Sequence, residues 1–331
     1  MGYTSGNLGG SYSQEGARAR FIVLACMTMQ LYLPDYQQIS AALDSYLEQD
    51  ERLCVADNFV ERVRAIDFLE IQMIDELEQM DNSGLSDAQR LSLIERARAL
   101  KQKLDGANEK LFSQLLASIR SNDRSALKQV LRSAEQQILP KTGEEDIGYD
   151  EMDSLVMGLL DVALAPDAPQ ERDPELIVYQ PTPARIILKI IGLLHITAGD
   201  VFYDLGSGIG HVPIMVHLLT DIRTKGVELE ESYFRYSTQC QKKLGLSGVE
   251  FINADARAVD YDDGTIFYLY TPFQGEVLRQ VLGKLEAQSK RRPIRVCAHG
   301  PCALQVLKED WLVPTYQTGI EEGCLVVFVS R

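Results

Sequence analysis

The stretch from Val201 to Val212, V-F-Y-D-L-G-S-G-I-G-H-V, decides the fold. Val201 to Tyr203 with Leu205 read as a buried parallel strand, the next five residues turn on three glycines, and His211 to Leu219 reads as a helix. Glycine lets a backbone take a positive φ or pass close to a ligand, and the helix that follows aims free N–H groups at whatever sits there. Strand, glycine turn and helix in this order place a ligand pocket at the strand's C-terminal end.

Spacing narrows the ligand. Gly206, Gly208 and Gly210 form G-x-G-x-G behind Asp204, whereas the dinucleotide fingerprint G-x-G-x-x-G needs glycine where this chain has His211. A pyrophosphate is therefore disfavoured. Asp204 adds a fixed negative charge beside the turn, which repels phosphate and suits an ammonium or sulfonium group. With that acid in front, the stretch resembles the first motif of class I S-adenosylmethionine (SAM) methyltransferases, whose D/E-x-G-x-G-x-G turn holds the methionine part of the cofactor. The resemblance implies that Asp204, Gly206, Ser207, Gly208 and Gly210 bind SAM. A glycine-rich turn in some other Rossmann-like fold is the bland alternative.

Two further pieces stand at the intervals this reading needs. Thr224 to Leu229, T-K-G-V-E-L, reads as the next strand and puts Glu228 where a carboxylate can accept hydrogen bonds from both hydroxyls of a ribose. Val249 to Ile252 reads as a third strand and runs into Asn253, Ala254 and Asp255, where the resemblance implies an acid near the adenine amino group. Taken singly, Glu228 is also a helix cap and Asp255 a turn residue.

The chain has 331 residues, 45% of them apolar, enough for a sizeable core and for two domains. Its six cysteines contain no C-x-x-C pair and sit mostly in apolar runs, which points to reduced thiols in a cytoplasmic protein. Four scattered histidines offer no metal site. Phe21 to Leu33 is apolar behind Arg18 and Arg20, but it lacks a small-residue cleavage site and is too short to span a bilayer, so a buried helix is expected and no membrane role. Charge is uneven: residues 1–175 carry 17 Lys and Arg against 31 Asp and Glu, and residues 176–331 carry 16 against 17. That acidic half would repel a nucleic-acid backbone and attract a basic protein segment, though acidic surfaces also serve solubility alone.

In order along the chain, residues 1–16 are a Gly/Ser/Tyr/Asn-rich terminus expected to be loose, and residues 17–140 read as an acidic helical domain. Within it, Asn58 to Met80 carries an apolar stripe of helical period. Ser86 with Gln89 makes a capping box for a helix to about Leu104 that Gly106 ends, and helices Asn108 to Ile119 and Arg124 to Leu139 follow. Residues 141–175 hold two linkers around the apolar helix Asp150 to Leu164, either a packing helix or a lid over the site. Residues 176–331 are then the SAM-binding domain.

Ile177 to Arg185, I-V-Y-Q-P-T-P-A-R, leads into a helix from Ala184 to Leu194 that Pro183 starts. An aromatic and P-T ahead of that helix, then Gly199, Asp200 and F-Y-D-L-G-S-G-I-G, looks like seven-strand protein-lysine methyltransferases, including the non-SET histone-lysine enzymes. In those the loop before the helix closes over the cofactor, which makes Tyr179 and Thr182 candidate SAM contacts. Thr265 to Tyr270 is the fourth strand. Its end, Tyr270, Thr271, Pro272 and Phe273, lies where acceptor meets methyl, so Tyr270, Thr271 and Phe273 are the candidate catalytic residues. The chain lacks both the N-P-P-Y of amino-methylating DNA enzymes and the N-N-F of the histone enzymes at this place. Gly275 to Leu285 is a helix and Pro293 to His299 the fifth strand. Trp311 to Gln317 and Cys324 to Ser330 make a closing antiparallel hairpin.

The fold expected is therefore α/β: a doubly wound, mostly parallel class I methyltransferase sheet with a terminal antiparallel hairpin, preceded by an all-α domain. The resemblance implies SAM-dependent methyl transfer, to a protein lysine in the first instance. A small-molecule N- or O-methyltransferase, in which the helical domain walls the pocket, and a non-catalytic SAM-binding scaffold are the alternatives.

Overall fold

The computed structural model describes residues 36–79, 85–138, 148–162, 165–166, 175–177, 179–318 and 324–331. The terminus 1–16, the run Phe21 to Leu33 and most of both linkers lie outside the described residues.

Seven strands form one sheet in the order β3-β2-β1-β4-β5-β7-β6. They are β1 Val201–Leu205, β2 Arg223–Glu228, β3 Val249–Asn253, β4 Ile266–Tyr270, β5 Arg295–His299, β6 Leu312–Gln317 and β7 Leu325–Ser330. β1 to β5 run parallel, and β7 lies antiparallel between β5 and β6. The chain order reverses direction at β1, between β2 and β4, and that reversal opens a crevice at the strands' C-terminal ends. The strand readings hold to within a residue or two because each central strand is an apolar run buried on both faces.

Alternation along the strands sorts side chains into two cores. Phe202, Ile266, Tyr268, Cys297, Leu325 and Val327 face one side, and Val201, Tyr203, Phe267, Leu269, Val296 and Phe328 the other. The helical part comprises α1 Tyr36–Glu48, α2 Asp50–Leu53, α3 Phe59–Asp67, a π-helical segment Phe68–Ile74, α4 Asp75–Gln79, α5 Asp87–Arg120, α6 Ser125–Gln137 and α7 Glu151–Leu160. Around the sheet lie α8 Ala184–Leu193, α9 His211–Thr220, α10 Glu231–Leu244, α11 Gly275–Ser289 and α12 Ala303–Val306. The core on the Phe202 side runs without a break through α8, α9 and α10 into α7, α6 and the end of α5. Met152, Leu155, Val156, Leu159 and Leu160 of α7 are buried in that core, and no residue of α7 lines the pocket described below.

Two readings of the helical part are corrected. The amphipathic stripe from Asn58 is not one α-helix, because a π-helical segment sits in its middle and keeps Leu69, Met73 and Leu77 in the core. Nor does Gly106 end a helix. α5 runs straight through it, opened by the expected Ser86–Gln89 capping box. Two separate cores hold α5, one burying Leu93, Leu100 and Leu104 and the other Leu111, Leu115 and Ile119. Burial of six such side chains outweighs the roughly 1 kcal/mol that a helical glycine costs. A Cβ on Gly106 would meet nothing within 4 Å. Gly106→Ala is therefore expected to stabilise the protein by about 0.5–1 kcal/mol, read as a higher denaturation midpoint; an unchanged or lower midpoint would contradict the helix placement.

Candidate active site

The turn after β1 is stapled to β2: the N–H groups of Gly206 and Ser207 both donate to the Val227 carbonyl at 2.9 Å. Gly208 takes φ +51°, and a Cβ there would lie 2.0 Å from the ring of Tyr179, which rests on the turn. Gly208 N–H donates to Glu228 Oε2 at 2.7 Å, and Glu230 N–H donates to Glu228 Oε1 at 2.8 Å. Glu228 is thus fixed at the end of β2 by two amides. Its carboxyl is nevertheless held above the usual range, since burial outweighs those bonds.

Asp204, the last but one residue of β1, is 3% exposed and lines the same cavity. Its carboxyl has no hydrogen-bond or ion-pair partner among the described residues, and Ser207 Oγ is buried without a partner. Burial first, and the nearby Glu228 second, push the Asp204 carboxyl well above the ordinary carboxylate range. A cation placed beside Asp204 would favour its charged form.

The cavity has a volume of about 540 Å³ and lies at the C-terminal ends of β1, β2 and β4. Tyr179, Thr182, Asp204, Gly206, Ser207, Glu228, Asp255, Tyr270, Thr271 and Phe273 all border it, while Gly208 and Gly210 stand behind its wall. Gly210 backs onto Phe251 and Ser237, where a Cβ would come within 2.4 Å of the Phe251 ring. Asp255 faces the cavity already paired: Arg257 donates to it from its backbone N–H at 2.8 Å and from its guanidinium at 2.6 and 3.0 Å, which lowers its carboxyl. An adenine amino group would share Asp255 with Arg257.

At the other end, Tyr270 stacks on His299 with ring centroids 4.1 Å apart. Thr271 takes φ +38°, and its hydroxyl donates to the His299 carbonyl at 2.9 Å and accepts from Cys302 N–H at 3.2 Å. Thr271 therefore borders the cavity with its hydroxyl already spent on the loop after β5. Phe273 is buried and pairs through its backbone with Leu176. Pro272 lies over Gly206, with its Cβ 2.3 Å from where a Gly206 Cβ would stand.

Sequence reasoning missed three buried groups at this wall, of which His211 lines the cavity and Tyr268 and His299 stand behind it. His211 Nε2 lies 3.0 Å from the Thr182 carbonyl, Tyr268 Oη is 3.1 Å from Thr182 Oγ1, and His299 Nδ1 is 3.3 Å from that same Oη. Only His211 carried a signal, as the residue standing where a dinucleotide site has glycine.

The family model described as histone methylation protein DOT1 matches residues 175–261, from just before Tyr179 to just past Asp255. A protein-lysine N-methyltransferase of Saccharolobus islandicus (strain REY15A) is 24% identical over 98 residues, 28% of this chain and 60% of that relative, so the chain spans less than two thirds of its length. Among solved structures, an RNA methyltransferase from Salinibacter ruber in complex with S-adenosyl-L-homocysteine aligns with 46% of this chain and 94% of its own, at 23% identity and TM-score 0.39. A putative RNA methyltransferase from Pyrococcus horikoshii aligns with 52% and 97%, at 16% identity and TM-score 0.39.

Sheet order, glycine turn and the acids at β1 and β2 give the fold of class I SAM-dependent methyltransferases, in keeping with the family match over residues 175–261. SAM is the methyl donor of this class. The residues fit it: the cavity is of ligand size, and the Asp204 carboxyl that lines it has no hydrogen-bond or ion-pair partner among the described residues.

Proposed function

We propose that this chain is a SAM-dependent methyltransferase that modifies a lysine side chain of a protein. The observation that carries the reading is the composition of the acceptor end. Leu176, Ile177, Tyr270, Thr271, Pro272, Phe273, Gln274 and Pro301 border it, and none is a carboxylate or an amine. Such a wall suits an aliphatic stem ending in one amine. The match of residues 175–261 to a histone methylation family and the protein-lysine N-methyltransferase relative support it.

In this reading Glu228 takes both ribose hydroxyls, Asp204 and Ser207 the amino acid end of the cofactor, Asp255 the adenine edge, and Tyr179 and Thr182 close over it. Bound SAM supplies a methyl group activated by a sulfonium. Tyr270 and Phe273 guide the lysine and face its cation. Leaving water costs the ammonium more than the amine, so the lysine sheds its proton to solvent on entry. Alignment of that amine with the methyl group a bound SAM would supply, in a dry channel, would be the protein's contribution. No side chain here is a ready base: burial raises the Tyr270 phenol and lowers His299 to about 4, leaving both neutral near pH 7.

The acidic residues 1–175 favour a basic protein segment over a nucleic acid as the partner. Cys54, Cys240, Cys297, Cys302 and Cys324 are free thiols, which suits the reducing cytoplasm. Among the described residues no helix is long and apolar enough to cross a membrane. Incubation with methyl-labelled SAM and a host lysate, followed by protease or nuclease, tests the proposal. Label released only by protease, and found on lysine after hydrolysis, is expected; label confined to small solutes or to nucleic acid would overturn it.

A further inference from the structure

His211 opens α9 and is 2% exposed. It faces two atoms of the segment that covers the cofactor turn. Its Nε2 is 3.0 Å from the Thr182 carbonyl oxygen, and a carbonyl can only accept, so Nε2 carries the hydrogen. The neutral ring then has a lone pair on Nδ1, which lies 3.4 Å from the Tyr179 hydroxyl, with the two rings nearly perpendicular at 83°. One imidazole thus donates to one end of the segment 179–182 and accepts from the other.

The rest of that segment is tied from elsewhere. Tyr149 Oη donates to the Pro181 carbonyl at 2.7 Å, Asp153 Oδ1 accepts from Ala184 N–H at 2.7 Å, and Thr182 Oγ1 meets Tyr268 Oη. Those anchors fix the segment to the start of α7 and to β4. His211 alone among them belongs to the glycine turn's own helix, one residue beyond Gly210. Tyr179 meanwhile lies on Gly208 and packs at 5.1 Å against Tyr233.

We propose that His211 is a positioning residue, a two-ended latch that holds Tyr179 and Thr182 across the glycine turn so that the two sides of the cofactor pocket keep one spacing. The inference rests on the SAM reading of that pocket. It does not place His211 in contact with the reacting atoms. Burial holds the imidazole at a pKa of about 4, so the donor-and-acceptor form persists at ordinary pH. A latch of this kind acts on cofactor retention and leaves the chemical step alone.

His211→Leu keeps bulk and loses both polar ends, whereas His211→Gln keeps a donor and an acceptor. Expected for His211→Leu is a SAM dissociation constant and KM raised about tenfold with kcat little changed, and for His211→Gln recovery to within about threefold of the unmutated protein. Tyr179→Phe, which deletes one hydroxyl, should weaken SAM by about threefold alone and add nothing to His211→Leu. Melting temperatures taken alongside separate latch from fold; should His211→Leu not fold, Tyr179→Phe decides the matter. Unchanged SAM affinity in Tyr179→Phe or His211→Leu, or glutamine no better than leucine, would overturn the latch. An unmutated protein that binds no SAM would instead bring down the pocket reading on which the latch stands.

Discussion

Gly208→Arg is expected to weaken SAM binding by more than about a hundredfold, to the edge of detection by calorimetry. Three effects act together. At φ +51° any side chain costs roughly 1–2 kcal/mol over glycine. A Cβ would stand 2.0 Å from the Tyr179 ring, so Tyr179 must leave the turn, and its approach to His211 goes with it. The guanidinium would then lie within reach of Asp204 and Glu228, giving those buried carboxylates a resident cation in place of the cofactor. Gly283→Ala is the control, because a Cβ at that position on α11 meets nothing within 4 Å. Binding of SAM to Gly208→Arg at near-normal affinity would mean that the turn is not the cofactor's seat.

Glu228→Ala is expected to cost about as much. Each hydrogen bond from a hydroxyl to a carboxylate contributes about 1.5–3 kcal/mol, so losing two is worth about two to four orders of magnitude in affinity. The truncation also strands the amides of Gly208 and Glu230. Glu228→Gln, which keeps the shape and one acceptor, should fall between. The same carboxylates give binding a pH dependence of known sign. Both Asp204 and Glu228 hold their protons above the usual carboxylate range, Asp204 through burial and then Glu228's charge. A cationic cofactor favours their ionised forms, so binding releases protons and the affinity falls as pH falls through that raised range. Removing the Glu228 charge relieves Asp204, and Glu228→Gln should therefore show a shallower slope. Calorimetry in buffers of different ionisation enthalpy counts the protons; uptake in place of release would contradict the assignment.

The glycine turn was legible because its information is local. Asp204, Gly206, Gly208 and Gly210 lie within seven residues of chain, and their backbone demands can be read from spacing alone. The acids at Glu228 and Asp255 follow from counting strands outward from β1. Tyr179 and Thr182 entered only through resemblance, since the contacts that define them span long intervals: Tyr179 to His211, Thr182 to Tyr268, Tyr268 to His299. The bonding of the Thr271 hydroxyl was hidden for a related reason. Its place at the end of β4 is plain in the sequence, but the turn of its hydroxyl toward Cys302 and His299 depends on a left-handed backbone that threonine rarely adopts. In α5 the local signal was right in kind and too small in size, because Gly106 weakens a helix that two cores hold together. The upward push on the Asp204 carboxyl could not be seen without its burial.

The central claim is that a sulfonium nucleoside nests between the turn at Gly206 to Gly210 and the acid at Glu228. A crystal structure of the full chain grown with S-adenosylmethionine tests it most directly. The prediction is a ribose with both hydroxyls on Glu228, the amino acid end at Asp204 and Ser207, and Tyr179 closed over the sulfur side. A ligand bound elsewhere, or no ligand at saturating concentration, would contradict it.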